Sequence, residues 1–174
     1  MTTLTRIAAL LALLSLPSLS AWAADQSMVA RDAERLGQCM VALDADCLVP
    51  VLYVEGYEAL SPPGFKFWAE QKRFFDAIRS RGGRYLEFTV LRPFRTISGG
   101  DKEFVLVPYR SASQLMKDQP ERKVSGFLIG VPEEGGRSWR FLDTVGLTRD
   151  QVHKALPRLN VTMLPAEIGA APAG

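Results

Sequence analysis

Histidine and cysteine are scarce in this chain, which has one histidine and two cysteines among 174 residues. Transition metals bind clusters of these side chains, and two cysteines with the distant His153 make no such cluster. A catalytic serine is not indicated, because the sequence has no G-x-S-x-G and His153 falls on a predicted surface helix. Gly99 and Gly100 lack the lysine and the following helix of a phosphate-binding loop. We therefore predict no metal site and no cofactor.

Clusters of positive charge and long apolar segments are also few. Lysine and arginine number 21 against 19 aspartate and glutamate residues, and no long basic stripe is present. Nucleic acid is therefore not an expected partner. After residue 23 no segment is apolar enough to span a membrane, so we expect a soluble mature protein.

The one long apolar segment lies at the N-terminus. Arg6 precedes an apolar stretch over residues 7–19, and Ala21 and Ala23 provide the small residues that a signal peptidase reads. This pattern predicts a secretory signal peptide over residues 1–23, cleaved after Ala23, and a periplasmic or secreted mature protein. The alternative, a buried or membrane-spanning helix, fits poorly with the short run and with Pro17.

The two cysteines, Cys39 and Cys47, both fall within the predicted mature chain. In an oxidising compartment an even pair favours a disulfide, and the spacing suits a clamp across a turn between two helices. The alternative is two reduced, buried thiols. A redox pair is not favoured, because the spacing is not C-x-x-C.

Helical periodicity dominates the first half of the predicted mature chain. Apolar residues recur at three- and four-residue steps from residue 25 to about 44, which predicts an amphipathic helix. A second, short helix is predicted from Cys47 to about Gly56, with Pro50 in its first turn. Ser61-Pro62-Pro63 predicts the start of a third helix, rich in aromatic residues, which Gly82-Gly83 ends.

After residue 83 apolar and polar residues alternate, which is typical of strands. Strands are predicted over 86–97 (interrupted at Arg92-Pro93), 104–109, 124–131 and 138–143, with residues 111–122 as a loop or hairpin tip. Thr148 and Gln151 form a capping box for a short last helix.

These elements predict an α+β domain over residues 24–160. Three N-terminal helices should pack on a curved antiparallel sheet of about four strands, followed by a short C-terminal helix. The aromatic third helix should lie in the concave side of the sheet. Residues 161–174 should form a flexible C-terminal tail.

This order of elements resembles the nuclear transport factor 2-like, or SnoaL-like, superfamily over nearly all of the predicted mature domain. The resemblance rests on the acidic break Leu43-Asp44-Ala45-Asp46, on Tyr53 in a short apolar helix, and on Trp139-Arg140-Phe141-Leu142-Asp143 in the last strand. It implies a conical pocket between the sheet and the helices. It also implies that a homodimer formed through the open sheet face is one possible oligomeric state. Members include isomerases, dehydratases, hydrolases and binding modules without catalysis, so the resemblance leaves function open.

Enzymes of the ketosteroid-isomerase kind in this superfamily need a tyrosine donor and carboxylates aimed into an apolar pocket. No motif fixes these roles here. The available tyrosine donors and carboxylate bases are Tyr53, Tyr57, Tyr109, Glu55, Asp76, Glu87 and Asp143. Among them Tyr53 and Asp143 are the catalytic candidates. The alternative for each tyrosine is a core residue whose hydroxyl reaches the surface.

Aromatic residues supply the candidate ligand-binding surface. The residues proposed to contact a ligand are Tyr53, Tyr57, Trp68, Tyr109 and Trp139. Further aromatic residues that would line or fill the cone are Phe74, Phe75, Tyr85, Phe88 and Phe104.

The sequence thus predicts an exported domain that binds a small apolar ligand or an envelope protein, with no catalysis assigned. One alternative is a small lyase or isomerase that uses a pocket tyrosine and carboxylate. A further alternative is a periplasmic inhibitor or immunity-type protein that binds an enzyme through the loop 111–122. A void beside Tyr53 or Asp143 would favour an enzyme, and a filled cone would favour an interaction module.

Overall fold

The computed structural model describes residues 19–134 and 136–168. Four helices come first: α1 (Leu19–Ala42), α2 (Ala45–Leu48), α3 (Val54–Leu60) and α4 (Phe67–Ser80). The strands follow: β1 (Arg84–Val90), β2 (Arg95–Gly99), β3 (Lys102–Gln114), β4 (Arg122–Pro132) and β5 (Trp139–Asp143). The last elements are α5 (Arg149–Ala155) and a 3₁₀ turn (Val161–Met163). This order confirms the predicted α+β class.

The predicted signal peptide lies outside the described residues, except that residues 19–23 form the beginning of α1. Among the described helices, none combines the length and the apolar character needed to cross a membrane.

The sheet is antiparallel and strongly curled, with strand order β1-β3-β4-β5. β2 also pairs with β3, so β1 and β2 lie one after the other along the same edge of β3. The break between them falls at the predicted Arg92-Pro93 interruption, where proline has no N–H for the ladder. β3 extends to Gln114 and β4 begins at Arg122, so the predicted loop 111–122 is wrong and only 115–121 connect the strands.

The predicted second helix is also wrong, because it is two helices. Pro50 lies in the turn after α2, where its missing N–H prevents the helix from continuing. Residues 51–53 then run beside β5: Phe141 N–H donates to the Val51 carbonyl (2.8 Å), and Tyr53 N–H donates to the Phe141 carbonyl (2.9 Å). The N–H groups of Val51 and Leu52 still donate to the Leu48 carbonyl, at 3.0 and 2.9 Å, so pairing with the sheet takes over from the Val51 carbonyl onward.

The disulfide between Cys39 and Cys47 is confirmed, with the two Cα atoms 5.4 Å apart. It crosses the turn from α1 to α2. In this turn the Asp44 carboxylate caps α2 by accepting from the N–H groups of Asp46 and Cys47, each at 3.0 Å. The bridge and the cap together fix the angle between the two helices.

We call the sheet face that packs on α1–α4 the inner face, and its opposite the outer face. α1 lies closest to the inner face, along β1 and β5. Gly37 permits this approach, because a Cβ atom there would lie 2.8 Å from Phe88 Cγ. The prediction that the aromatic helix lies in the concave side of the sheet is wrong, because α1 takes that place and α4 packs mainly on α2 and α3. α4 also begins at Phe67 rather than at the predicted proline pair. Its Phe75 and Ile78 are buried, as the aromatic pattern predicted.

The outer face is covered at one end by α5 and the residues that follow it. Ile97, Phe104 and Leu106 form a second core there with Leu164 and Ile168. The prediction of a flexible tail over 161–174 is therefore wrong for residues 161–168, because Leu164 and Ile168 are each at least 95% buried. Residues 169–174 lie outside the described part of the chain.

Candidate functional site

Two adjoining cavities lie between the inner face and the helices. The first, of about 220 Å³, is bounded mainly by β1, β3 and β4. The second, of about 180 Å³, lies among α1, α2 and α4. Both are lined by Met40, Phe74, Phe88 and Asp143, so these residues are common to the walls of both cavities. The aromatic side chains therefore leave a void between the curled sheet and the helices.

Strand register places Tyr109 and Asp143 on the wall of this void. Tyr109 of β3 is opposite Gly126 of β4, and Asp143 at the end of β5 is opposite Leu128 of β4. Gly126 leaves room for the Tyr109 ring, because a Cβ atom there would lie 3.0 Å from Tyr109 Cε1. The ring also stacks on Phe88 of β1, with centroids 4.6 Å apart. These contacts fix the direction of the Tyr109 hydroxyl.

A hydrogen-bonded group of three residues results: Tyr57, Tyr109 and Asp143. The Tyr109 hydroxyl donates to both carboxylate oxygens of Asp143, at 2.9 and 2.8 Å. The Val145 N–H donates to Asp143 Oδ1 at 3.0 Å, and the Asp143 N–H donates to the Tyr57 hydroxyl oxygen at 2.9 Å. Tyr57 therefore accepts a hydrogen bond here, and its own hydroxyl proton has no acceptor among the described residues.

Burial determines the protonation of this group. Burial raises the pKa of Asp143 to about 6, although hydrogen bonds from the Val145 N–H and the Tyr109 hydroxyl oppose the rise. Burial, and then the negative charge of Asp143, raise the pKa of Tyr109 and the pKa of Tyr57 far above their ordinary value. At neutral pH the site thus holds two neutral hydroxyls and one carboxylate that titrates near physiological pH.

Three of the sequence-predicted residues are brought together: Tyr57, Tyr109 and Asp143. They meet because α3, β3 and β5 converge at one end of the sheet. Asp143 was a catalytic candidate, and both tyrosines were ligand-binding candidates. This group is the centre of the candidate site.

Three of the candidate site residues, Tyr53, Trp68 and Trp139, do not line the two cavities. Tyr53 precedes α3 and lies beside Arg140, whose guanidinium is 5.9 Å from the ring centroid. Trp68 packs edge-to-face on Phe67, with centroids 5.0 Å apart. Trp139 is buried at the start of β5, where its backbone N–H donates to the buried Asp32 carboxylate at 3.0 Å. The positions of Tyr53, Trp68 and Trp139 indicate structural contacts.

Tyr85 and Arg122 also line the first cavity. Tyr85 was one of the aromatic residues predicted to line or fill the cone, whereas Arg122 was not among the predicted site residues. The alternation in β1 placed Leu86 and Phe88 on one face, which would direct Tyr85 to the other. A register shift between Tyr85 and Glu87 changes this, so that Tyr85 and Phe88 both face inward and Leu86 is 39% exposed. A bulge without glycine or proline gives no clear sequence signal.

Within the described residues no group of three or more histidine, cysteine, aspartate or glutamate side chains is placed to hold a metal ion. The cavities offer hydrogen bonding by Tyr57 and Tyr109, proton exchange by the Asp143 carboxylate and, in the first cavity, the positive charge of Arg122. The chain matches no family model, no curated protein and no solved structure.

Proposed function

We propose that this protein binds a small, mainly apolar molecule in the two adjoining cavities. The observation that carries the proposal is a largely apolar void whose wall includes the hydrogen-bonded cluster of Tyr57, Tyr109 and Asp143. Small-molecule sites have this composition, because apolar walls supply affinity and a few polar groups fix orientation.

The polar cluster favours a ligand with one oxygen-containing group. The unpaired proton of the Tyr57 hydroxyl suits a carbonyl or hydroxyl oxygen as acceptor. The Asp143 carboxylate can accept a hydrogen bond from a ligand hydroxyl. Met40, Phe74 and Phe88 line both cavities and would contact the apolar body of the molecule.

A small ligand is favoured over a protein partner held by a protruding loop. The connection between β3 and β4 is short, over residues 115–121. It is held to the domain, because the Lys117 N–H donates to the Arg81 carbonyl at 3.1 Å. Gln114 Nε2 further donates to the carbonyls of Lys117 and Gln119, at 2.9 and 2.8 Å. The loop that an inhibitor would use is thus neither long nor free.

Filling the first cavity is expected to weaken binding of 2-(2-naphthyl)ethanol, an uncharged bicyclic probe, by about tenfold or more, since well-placed apolar contacts are worth over 1 kcal/mol. Ser111→Phe places a ring in the cavity from β3, opposite Val124. Ser125→Phe is the matched control, because Ser125 is exposed on the neighbouring strand. Calorimetric titration at pH 8 gives the dissociation constants. Equal affinity in Ser111→Phe and the unmodified protein, or no binding by either, contradicts the proposal.

A second candidate function is proton transfer, as in a small isomerase or lyase. The observation that favours it is a carboxylate with a pKa raised by burial, beside a tyrosine with a free hydroxyl proton. Asp143 would remove a proton next to a ligand carbonyl, and Tyr57 would stabilise the resulting enolate oxygen. The protein should then accelerate deuterium exchange at the acidic carbon of 2-tetralone in D₂O. Exchange no faster than in buffer contradicts this candidate.

A further inference from the structure

One cation, Arg122, lies on the wall of the first cavity, at the beginning of β4. Three strands place it in a row on the inner face, because Tyr85 of β1 is opposite Ser113 of β3, and Ser113 is opposite Arg122. The Arg122 side chain forms no ion pair with a carboxylate of the described residues, whereas Arg140 and Arg158 each form one. The guanidinium is thus available to a ligand.

The charges around the cavities are arranged asymmetrically. Arg122 and Asp143 are the two charged residues on the lining of the first cavity, and Asp143 also lines the second. Both charges act on Tyr85. Its pKa is raised by burial and by the negative charge of Asp143, and it is lowered by the positive charge of Arg122. A ligand in the first cavity therefore has a positive charge at the exposed end of the site and a negative charge at the buried end.

Apolar side chains are exposed on the lining of the same cavity. Phe74 of α4 is 45% exposed and Val145 after β5 is 38% exposed, and both line the first cavity. An apolar molecule there would remove part of their surface from water, which is favourable. The same cavity thus offers apolar contact and a positive charge to one ligand.

Resting on the proposed binding function, we propose that the ligand is an apolar carboxylic acid whose carboxylate pairs with Arg122 and whose body lies against Phe74 and Phe88. A carboxylate matches the planar guanidinium, which can donate two parallel hydrogen bonds. The reverse orientation is opposed, because it would place the ligand carboxylate beside Asp143. An uncharged oxygen elsewhere on the molecule can still meet the Tyr57 hydroxyl.

The test compares two probes with one skeleton, 2-naphthylacetate and 2-(2-naphthyl)ethanol, by calorimetric titration at pH 8. The acid is expected to bind about tenfold more tightly than the alcohol, because its carboxylate forms hydrogen bonds with a charged guanidinium, and these are stronger than hydrogen bonds of a neutral hydroxyl. Arg122→Gln should remove that tenfold advantage, so that the variant binds the acid and the alcohol with similar affinity. Lys123→Gln is the matched control, because Lys123 is the neighbouring residue, its side chain is 82% exposed, and it points away from the cavity.

The outcomes separate the two proposals. If the alcohol binds but the acid binds no more tightly, or if Arg122→Gln leaves the affinity for the acid intact, the role of Arg122 is wrong and ligand binding in the cavity stands. An equal loss of acid affinity in Lys123→Gln also overturns it, because the effect would then be one of net charge. If neither probe binds the unmodified protein, the proposed function itself fails.

Discussion

Asp143→Asn is expected to stabilise the folded protein at pH 8 by roughly 2–3 kcal/mol, the free energy of about two pKa units. Burial raises the pKa of Asp143 from 3.8 to about 6 in the folded state. Between these values the folded protein holds a proton that the unfolded chain has released. The stabilising contribution of Asp143 is therefore complete below about pH 4, and it is lost as the pH rises through about 6.

The measurement is urea unfolding of both proteins from pH 4 to pH 8. The stability of the unmodified protein minus that of Asp143→Asn should fall as the pH rises, because asparagine cannot ionise but can still accept from Tyr109 and Val145. Asp118→Asn is the control, since Asp118 is exposed in the loop between β3 and β4. If the free energies of unfolding of Asp143→Asn and of the unmodified protein change in parallel with pH, burial does not raise the pKa of Asp143.

Leu164→Ala is expected to lower the free energy of unfolding by about 2–5 kcal/mol, the usual cost of truncating a buried leucine. Leu164 is buried against the outer face in the second core, with Leu156, Leu159 and Ile168. Arg149 holds this segment by donating to the carbonyls of Leu164 and Pro165, at 3.0 and 3.1 Å.

The matched control is the adjacent Met163→Ala, because Met163 is 41% exposed and should cost no more than about 0.5 kcal/mol. Thermal or urea unfolding measures both variants. Equal, small losses would restore the interpretation of residues 161–168 as a flexible tail.

Much of the fold could be predicted because its signals are local. The change from helical to strand periodicity at residue 83 separates the helices from the sheet, and the capping box of Thr148 and Gln151 marks α5. The cysteine pair was also predictable from its spacing, taken together with the predicted signal peptide. The division of the second helix was not, since hydrogen bonds from residues 51–53 to β5 determine it and involve a strand some ninety positions away in the chain.

Only part of the site could be predicted, because its geometry also depends on contacts between residues that are distant in the chain. Tyr57, Tyr109 and Asp143 were candidates by residue type, but their meeting depends on the register of β3, β4 and β5. Tyr85 was a candidate lining residue by type, but its inward direction depends on a bulge in β1, and the position of Arg122 depends on the length of β3. Alternation reveals neither feature. Tyr53 and Trp139 are aromatic hydrogen-bond donors like Tyr57 and Tyr109. Only tertiary packing places them away from the site.

The most direct test of the ligand cavity is the titration of the Asp143 side-chain carboxyl carbon by ¹³C NMR, with and without 2-(2-naphthyl)ethanol. The structure predicts a pKa of about 6 in the free protein. The bound probe should raise this pKa further, because an apolar molecule beside Asp143 excludes water from the carboxylate. An ordinary pKa that saturating probe leaves unchanged would contradict the account.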